Sequence, residues 1–544
     1  VPSFFIDSFS IPPFLLPIYQ AAGAAYGIPW QILAAINEVE TDYGRDLSVS
    51  SAGAEGWMQF MPSTWAQYGV DVNKDGFQDP YNPADAIFAA ARYLEQSGGA
   101  TDIRAAVFSY NHSQAYVNSV MLRARLLGGT PPQLLGAITG LTESRFPVYA
   151  AAHFSDGFPS TEGVSSHTVP GTTIYTEADA PVIAVQDGRV TQIARSGPFG
   201  PSIALKDAYG NTYTYAGLGT LSTVYPVLEV VESKRATAAS GALASFAPGA
   251  SATSSASSGA TRAFKAGSDN VYLHPLHVGV QVIAGTVLGH VAPGAQPHVV
   301  FQIRPAGAPP VDPKPILDGW VKLQSSAVVK AKGRDPFARL APTPGQALLE
   351  SKTQLDQQVP RDRGIRLASC ERQLISDGRT DRRVLATLAF LSASGLKPTV
   401  SARSCGQVSP TAVEALPAAS AGVAVDISAV NGLPVADSHG PTSIATVLVH
   451  KLAALQGVTR PLEIAGSTRF AGASNSLALP GFKHVIRIAF TPIGGASARA
   501  AGFGAGLTPA QWLKLVSRLG QVPDPAVGSK PSTAAIPDPS KEGK

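Results

Sequence analysis

The stretch AAINEVETDYGR, residues 34–45, sets Glu38, Glu40 and Asp42 close together. Carboxylates are the groups that protonate a glycosidic oxygen, activate water or attack an anomeric carbon. Successive helical residues turn by about 100°. With Ile36 as reference, Ile32, Leu33, Val39 and Tyr43 lie within roughly 60° of it and form one apolar stripe. Glu40 falls about 40° from Ile36, inside that stripe, while Glu38 falls on the opposite face and Asp42 to one side. A carboxylate on the core-facing stripe loses water, which disfavours its charged form and raises its pKa towards the range of a general acid. Glu38 then reads as a solvated surface residue. On this pattern alone, a buried glutamate held by a hydrogen bond explains Glu40 as well as catalysis does.

A second oxygen-rich group follows. Residues 71–82, DVNKDGFQDPYN, match D-x-N-x-D-G-x-x-D, with Asp71, Asn73, Asp75 and Asp79 at alternate positions, Gly76 at the sharp turn and Phe77 supplying a carbonyl. This is a candidate structural calcium loop. Its twelfth position is Asn82, not the bidentate glutamate of an EF-hand, and an Asp/Asn-rich turn without metal accounts for the same residues.

The elements that must position these groups divide the 544 residues into several domains. Residues 14–128 carry helical periodicity, ending in SVMLRARLLGG before TPPQ breaks the helix. Residues 140–322 change to short β-branched runs with glycine turns, an antiparallel all-β pattern. Within them, residues 233–269 hold almost no large apolar side chains and read as a flexible insertion. A linker at 325–343 leads to an α+β region, 344–523, and residues 524–544 read as a disordered tail.

Composition narrows the classes. Charged residues are 15% of the chain and the net charge is +4, which gives no sign of a nucleic-acid binder or a coiled coil. No apolar run reaches the ~18 residues of a membrane span. The opening VPSFFIDSFSIPPFLLPIYQ is apolar but broken by prolines and lacks an initiator methionine and a basic leader, so the chain reads as a mature or trimmed product whose export signal, if it had one, is gone. The two cysteines, Cys370 and Cys405, lie in no CxxC pair and read as one disulfide of an exported protein, with two unpaired buried thiols as the alternative.

IPWQILAAINEVETDYGR, SSAGAEGWMQFMPSTWAQYGVD and AVFSYNHSQAYVNSV occur in an order that resembles the lytic transglycosylases of the lysozyme-like superfamily, of the type with a Glu-Thr pair. The resemblance covers about residues 14–125 and implies an α-helical lysozyme-like domain. It implies Glu40 as the catalytic acid, Met58 and Gln59 on the cleft wall, and Tyr110 and Asn111 as the YN pair beside the acid. Glu55, inside SAGAEG, departs from the pattern. The implied reaction cleaves the β-1,4 bond between MurNAc and GlcNAc. The sugar's own C6 hydroxyl attacks the anomeric carbon, leaving a 1,6-anhydro-MurNAc end, so one carboxylate serves as acid and then base and no cofactor is required. Asp42 as a second catalytic carboxylate is the weaker alternative.

The strand series APVIAVQDGRV, GNTYTYAGL, VGVQVIAGTVLGHV and PHVVFQIRP resembles lysostaphin-type, LytM-like peptidoglycan endopeptidases. Those hold zinc with a His and Asp four apart and the second His of an H-x-H. Here Val169, Thr173 and Val300 stand at those positions, Gly217 replaces the further histidine of YAHL, and only His298, the first of the H-x-H, remains. Valine offers no donor for zinc. The resemblance therefore implies a zinc-free, catalytically dead module that binds peptidoglycan or another wall hydrolase. His153, His167, His274, His277 and His290 read as ordinary surface histidines.

In the third region GVAVDISAVNG and HVIRIAF faintly resemble the D,D-carboxypeptidase-like zinc fold. Gly422 and Asp426 match it, Ala419 replaces the first ligand histidine, Val485 and Arg487 fill the H-x-H positions, and His484 stands beside them. An unrelated α/β module fits equally. The sequence thus points to an exported, wall-cleaving transglycosylase with two degenerate peptidase-like modules. A noncatalytic wall-binding scaffold or activator, and a hydrolytic lysozyme, are the alternatives.

Overall fold

In the computed structural model, residues 1–538 are described apart from 74, 143, 155–170, 197–199, 208–209, 230–260, 267–268, 306, 326–343, 351, 402–421, 437–442, 491–506 and 529. The Glu40 helix, Trp30–Thr41, starts after Pro29 and stops where Asp42 turns left-handed at φ 48°. It packs against the helices Leu15–Tyr26 and Gln114–Gly128. Around it, Pro83–Gln96 is capped by the Asn82 side chain, Ile103–Asn111 by Asp102 and Gln114–Gly128 by Ser113. Each cap satisfies amides that the first helical turn leaves open. The first region is thus helical.

The second region is antiparallel β. A seven-stranded sheet runs in the order Gln281–Val282, Gly188–Ala194, Ser202–Asp207, Thr212–Ala216, His298–Arg304, Thr172–Thr176 and Ala152–Phe154. A three-stranded sheet joins Pro181–Ile183, Val287–Val291 and Leu218–Leu221. In the seven-stranded sheet, Ser202–Asp207 and His298–Arg304 each bury three consecutive residues, 203–205 and 301–303, so both faces of the sheet are covered there. Of the expected insertion, residues 233–260 lie outside the described residues. Its far end differs from expectation: Thr261–Ala266 is a strand, paired with Asp269–Pro275, which pairs in turn with Val224–Glu229.

The third region is mixed α and β. Pro398–Val400, Ala424–Val430, Ile486–Ala489, Glu463–Gly466 and Ser476–Ala478 form its sheet, with only the last pair parallel. Its helix Pro344–Leu349 sits between Leu15–Tyr26 of the first region and Arg382–Ala393 of its own. Gln456 spans the same boundary, accepting from Trp30 N at 2.8 Å and donating to the Ile28 carbonyl at 2.9 Å. Cys370 is disulfide-bonded; Cys405, the chain's other cysteine, lies outside the described residues.

The α+β region closes on a helix, and the tail beyond it, of which 529 and 539–544 lie outside the described residues, departs from the expected disorder. The helix Pro509–Gln521, started by a Thr508–Gln511 capping box, buries Trp512, Leu515, Val516 and Leu519 against Ser3–Asp7 and Lys314–Ser325. Beyond it, Ile536–Pro537 pairs antiparallel with Phe77–Gln78. The low apolar content of this tail masked the pairing, because an edge strand is held through backbone groups.

Candidate active site

Glu40 lies one residue from the C-terminal end of its helix, half-buried. Tyr116, on the Gln114–Gly128 helix, donates its hydroxyl to Glu40 Oε1 at 2.6 Å. Burial pushes the Glu40 carboxyl above its ordinary range, and the Tyr116 bond pulls it part of the way back. Desolvation, with Glu40 as a neighbouring charge, raises both Tyr116 and Tyr110, so both phenols stay protonated donors.

The other two carboxylates face elsewhere. Asp42 is the left-handed C-cap, its side chain 63% exposed and paired outward with Arg45 at 2.9 Å. Glu38 is not the solvated residue the helical wheel suggested. It accepts from Tyr43 Oη at 3.0 Å and pairs with Arg123 at 3.4 Å, because the Gln114–Gly128 helix packs over that face.

The expected cleft-wall residues divide. Met58 is fully buried, so its side chain belongs to the core, and its carbonyl instead accepts from Tyr110 Oη at 2.7 Å. Gln59 is half-buried with a left-handed φ of 49°, and its amide donates to the Ser48 and Gly56 carbonyls at 3.3 and 3.2 Å. Asn111 is exposed at the end of Ile103–Asn111. Glu55 sits in a short bridge with Phe60 that closes the turn between them.

Sequence reasoning missed the groups that fasten this wall to the Glu40 helix. Asn37, fully buried, accepts from Tyr19 Oη and donates through Nδ2 to Thr41 Oγ1 at 2.9 Å and to the Trp57 carbonyl at 2.7 Å. Thr41 Oγ1 donates to the same carbonyl at 2.9 Å and accepts from Gly44 N at 3.1 Å. Thr41, the second member of the Glu-Thr pair, is therefore a structural tie. The available signal was Asn37 itself, a polar residue one turn before Glu40.

In the 71–79 loop, Asp71 accepts from the amides of Asp75 and Gly76 at 3.1 and 2.9 Å, and Asp75 Oδ1 accepts from Phe77 N at 2.9 Å. Asn73 Nδ2 donates to Asp75 Oδ2 at 2.8 Å. Beneath the loop, buried Asp85 accepts from Val72 N and Asp79 N, and desolvation raises its carboxyl well above the usual range. One expected cation ligand is engaged elsewhere, and the twelfth position serves another purpose. Asp79 accepts from the Ser532 amide and hydroxyl at 2.7 and 2.6 Å, and Asn82 Oδ1 caps the following helix. The oxygen donors that remain in keeping with a cation are those of Asp71, Asn73, Asp75 and the Phe77 carbonyl.

In the β region the described positions of the expected zinc set lie side by side. Thr173 stands opposite Val300, and Val300 opposite Ala216, which precedes Gly217. Val169 and His167 lie outside the described residues. This Thr, Val and Gly set does not fit zinc, which takes N, S or carboxylate donors. His298 is exposed beside Tyr175, whose other face stacks on His153 at 5.2 Å. His274 lies against the Tyr225 ring, His277 against its neighbour's carbonyl and His290 near Thr220. Among the described residues no three His, Cys, Asp or Glu side chains are grouped to hold a metal.

In the third region Asp426 and Arg487 are cross-strand partners and form a bidentate ion pair at 2.7 and 2.7 Å, with Asp426 fully buried. Arg487, at one of the expected H-x-H positions, is thus the partner of the expected ligand Asp426. Val485 is buried and His484 exposed, while Ala419 lies outside the described residues. Gly422 has φ 76°, and a Cβ there would meet the Arg379 carbonyl at 1.9 Å, so the turn before the strand accepts only glycine.

Residues 45–107 match the family model described as Transglycosylase SLT domain, so the chain carries such a domain near its N-terminal end. The match begins just past Glu40. Over 126 residues the chain is 31% identical to membrane-bound lytic murein transglycosylase B of Escherichia coli strain K12, covering 22% of this chain and 35% of that protein. The chain thus spans about a third of that curated relative. Among solved structures, the catalytic domain of lysostaphin from Staphylococcus simulans is 16% identical with a TM-score of 0.19, covering 30% of this chain and 92% of that one. A putative glycyl-glycine endopeptidase LytM from Ruminococcus gnavus is 15% identical with a TM-score of 0.23, covering 42% and 86%. The Escherichia coli lytic transglycosylase Slt35 in complex with bulgecin A is 18% identical with a TM-score of 0.19, covering 23% and 77%. Among the described residues no helix is long and apolar enough to cross a membrane.

Proposed function

We propose that the chain is an exported peptidoglycan lytic transglycosylase that cleaves the MurNAc–GlcNAc β-1,4 bond, with Glu40 as its single acid/base. The observation that carries this reading is the half-buried Glu40 carboxyl, raised by desolvation and held by Tyr116. Protonated Glu40 gives its proton to the glycosidic oxygen as the bond to the anomeric carbon breaks. The C6 hydroxyl of the same MurNAc then bonds to that carbon, and the Glu40 carboxylate takes the C6 proton. The ring closes as 1,6-anhydro-MurNAc and Glu40 is protonated again. Gln59 and Asn111 line the sugar path. The outward pairing of Asp42 and the partners of Glu38 support a one-carboxylate mechanism over a two-carboxylate hydrolysis.

The β and third regions serve as noncatalytic modules for the wall or for a partner hydrolase. The Thr173, Val300 and Gly217 set and the Asp426–Arg487 pair support that role. The disulfide at Cys370 supports an oxidising, extracytoplasmic location. The 71–79 loop takes a structural calcium through Asp71, Asn73, Asp75 and the Phe77 carbonyl, and calcium plays no part in the chemistry.

The test is mass spectrometry of products released from purified peptidoglycan by the chain and by Glu40→Gln. Anhydro-muropeptides from the parent and none from the variant are expected. Reducing ends instead would mean a lysozyme, and binding without release would mean a scaffold.

A further inference from the structure

The chain's last described residues return to the first region. Arg45 Nε donates to the Pro523 carbonyl at 2.9 Å, Ile536–Pro537 pairs with Phe77–Gln78, and Asp538 N donates to the Gly76 carbonyl at 3.0 Å. Between these contacts the Ser532 amide and hydroxyl grip both oxygens of Asp79, a residue only 5% exposed. Bonds to a buried carboxylate are among the stronger ones a chain makes.

Asp79 leads directly to the cleft wall. The Pro80 carbonyl accepts from Trp57 N at 2.9 Å, and the Tyr81 carbonyl accepts from Trp57 Nε1 at 3.0 Å. A Cβ on Gly56 would lie 2.2 Å from the Pro80 oxygen, so the two segments touch backbone to backbone. The Trp57 carbonyl is tied to Asn37 and Thr41 of the Glu40 helix, and the next carbonyl, Met58, holds Tyr110. An unbroken run of bonds therefore joins Ser532 to the helix that carries the acid.

We propose that residues 523–538 are a positioning strap for the transglycosylase site, with Ser532 as its anchor. The far C-terminal segment completes the scaffold that sets residues 56–60 against Glu40. Ser532 acts through Asp79 and Trp57, without touching the sugar. This inference rests on the reading of Glu40 as acid/base.

The experiment compares four proteins for release of anhydro-muropeptides, below the melting temperature of each: the full chain, Ser532→Ala, Ser532→Thr and a chain ending at Val522. Small displacements of catalytic geometry cost up to about 100-fold in rate, so a fall of roughly tenfold or more is expected for Ser532→Ala and the shortened chain. Ser532→Thr, which keeps the hydroxyl, retains the rate, and a synthetic peptide of residues 523–538 restores the shortened chain saturably. Equal rates for the full and shortened chains overturn the strap. So does a loss in the shortened chain that Ser532→Ala does not share and the peptide does not reverse, because the segment then serves folding alone. A full chain that releases nothing overturns the activity reading, and the strap's role with it.

Discussion

Tyr116 donates its hydroxyl to Glu40 Oε1 at 2.6 Å, and this bond favours the charged carboxylate against the burial that disfavours it. The two effects act in opposite directions on one proton. On the proposed reading of Glu40 as acid/base, the balance decides how readily it gives up a proton and takes one back.

Removing that bond shifts the balance predictably. Tyr116→Phe leaves burial unopposed, so the Glu40 carboxyl rises further. A general acid works while protonated, so activity falls as pH rises through the carboxyl's pKa. In Tyr116→Phe that fall moves to higher pH, and the loss of a positioning bond lowers the maximal rate by roughly tenfold. Rates of anhydro-muropeptide release across pH 4 to 9 check this; an unmoved alkaline limb would show that Tyr116 does not tune Glu40.

The same burial affects stability. The folded carboxyl lies above its unfolded value, so the ionised form at neutral pH is a strain on the fold that is relieved as pH falls through the raised value. Glu40→Gln removes the charge and keeps the shape. The variant is expected to melt at the same temperature as the parent or higher at pH 7, while losing activity. A clear fall in melting temperature would mean that the carboxylate is structural.

Asn37 carries three bonds in a dry setting, to Tyr19, Thr41 and the Trp57 carbonyl. Asn37→Ala leaves that carbonyl and the Tyr19 hydroxyl short of a partner. Unsatisfied buried groups cost about 1–3 kcal/mol each, so a loss of about 2–4 kcal/mol is expected in denaturant unfolding. A loss under about 1 kcal/mol would mean that Thr41 alone secures the wall.

How much of this was legible depended on whether a residue's role is local. Glu40 stood out because helical periodicity puts an acid among Ile32, Leu33 and Ile36, and that periodicity is written in adjacent residues. The β region announced itself through short β-branched runs between glycine turns, which are local signals too. The cleft-wall place of Met58 came from the resemblance and not from any local pattern, and its side chain is fully buried in the core. Glu38 seemed solvated because a helical wheel knows nothing of the Arg123 helix packed over it. The Ser532–Asp79 contact joins residues at opposite ends of the chain, and no local pattern foretells it.

The 71–79 loop has a direct test. Bound calcium would order Asp71, Asn73 and Asp75 and lend stability in proportion to the logarithm of its concentration over its dissociation constant. At calcium 100 times that constant the gain is about 2.7 kcal/mol, seen as a rise of several degrees in melting temperature. Coincident melting curves with calcium and with chelator would remove the metal and leave a turn held by its own amides.

The boundary between the β and third regions supplies the last prediction. Lys352 Nζ donates to Asp187 of the β region at 2.6 Å, to Asp356 one turn along its own helix at 2.8 Å, and to the Gly378 carbonyl at 3.2 Å. One cation thus serves two carboxylates, each side chain no more than 13% exposed. Asp187 is further held by Ala284 N at 2.8 Å, whereas Asp356 Oδ1 is buried with no hydrogen-bond partner. Asp381, which caps the helix Arg382–Ala393 and is paired with Arg383, also feels the Lys352 charge. Burial, only partly offset by Lys352, pushes Asp356 up to about 7. An unfolded aspartate titrates near 3.9. Between those values the folded chain binds a proton that the unfolded chain does not, so stability falls as pH rises from about 4 to about 7 and then levels off. The slope contributed by this one group is at most about 1.4 kcal/mol per pH unit. Asp356→Asn cannot titrate, so unfolding curves for parent and variant should converge near pH 4.5 and part progressively towards pH 7, with the variant the more stable at neutral pH. Parallel curves across that range would show that Asp356 keeps an ordinary carboxyl and that Lys352 balances both partners unaided.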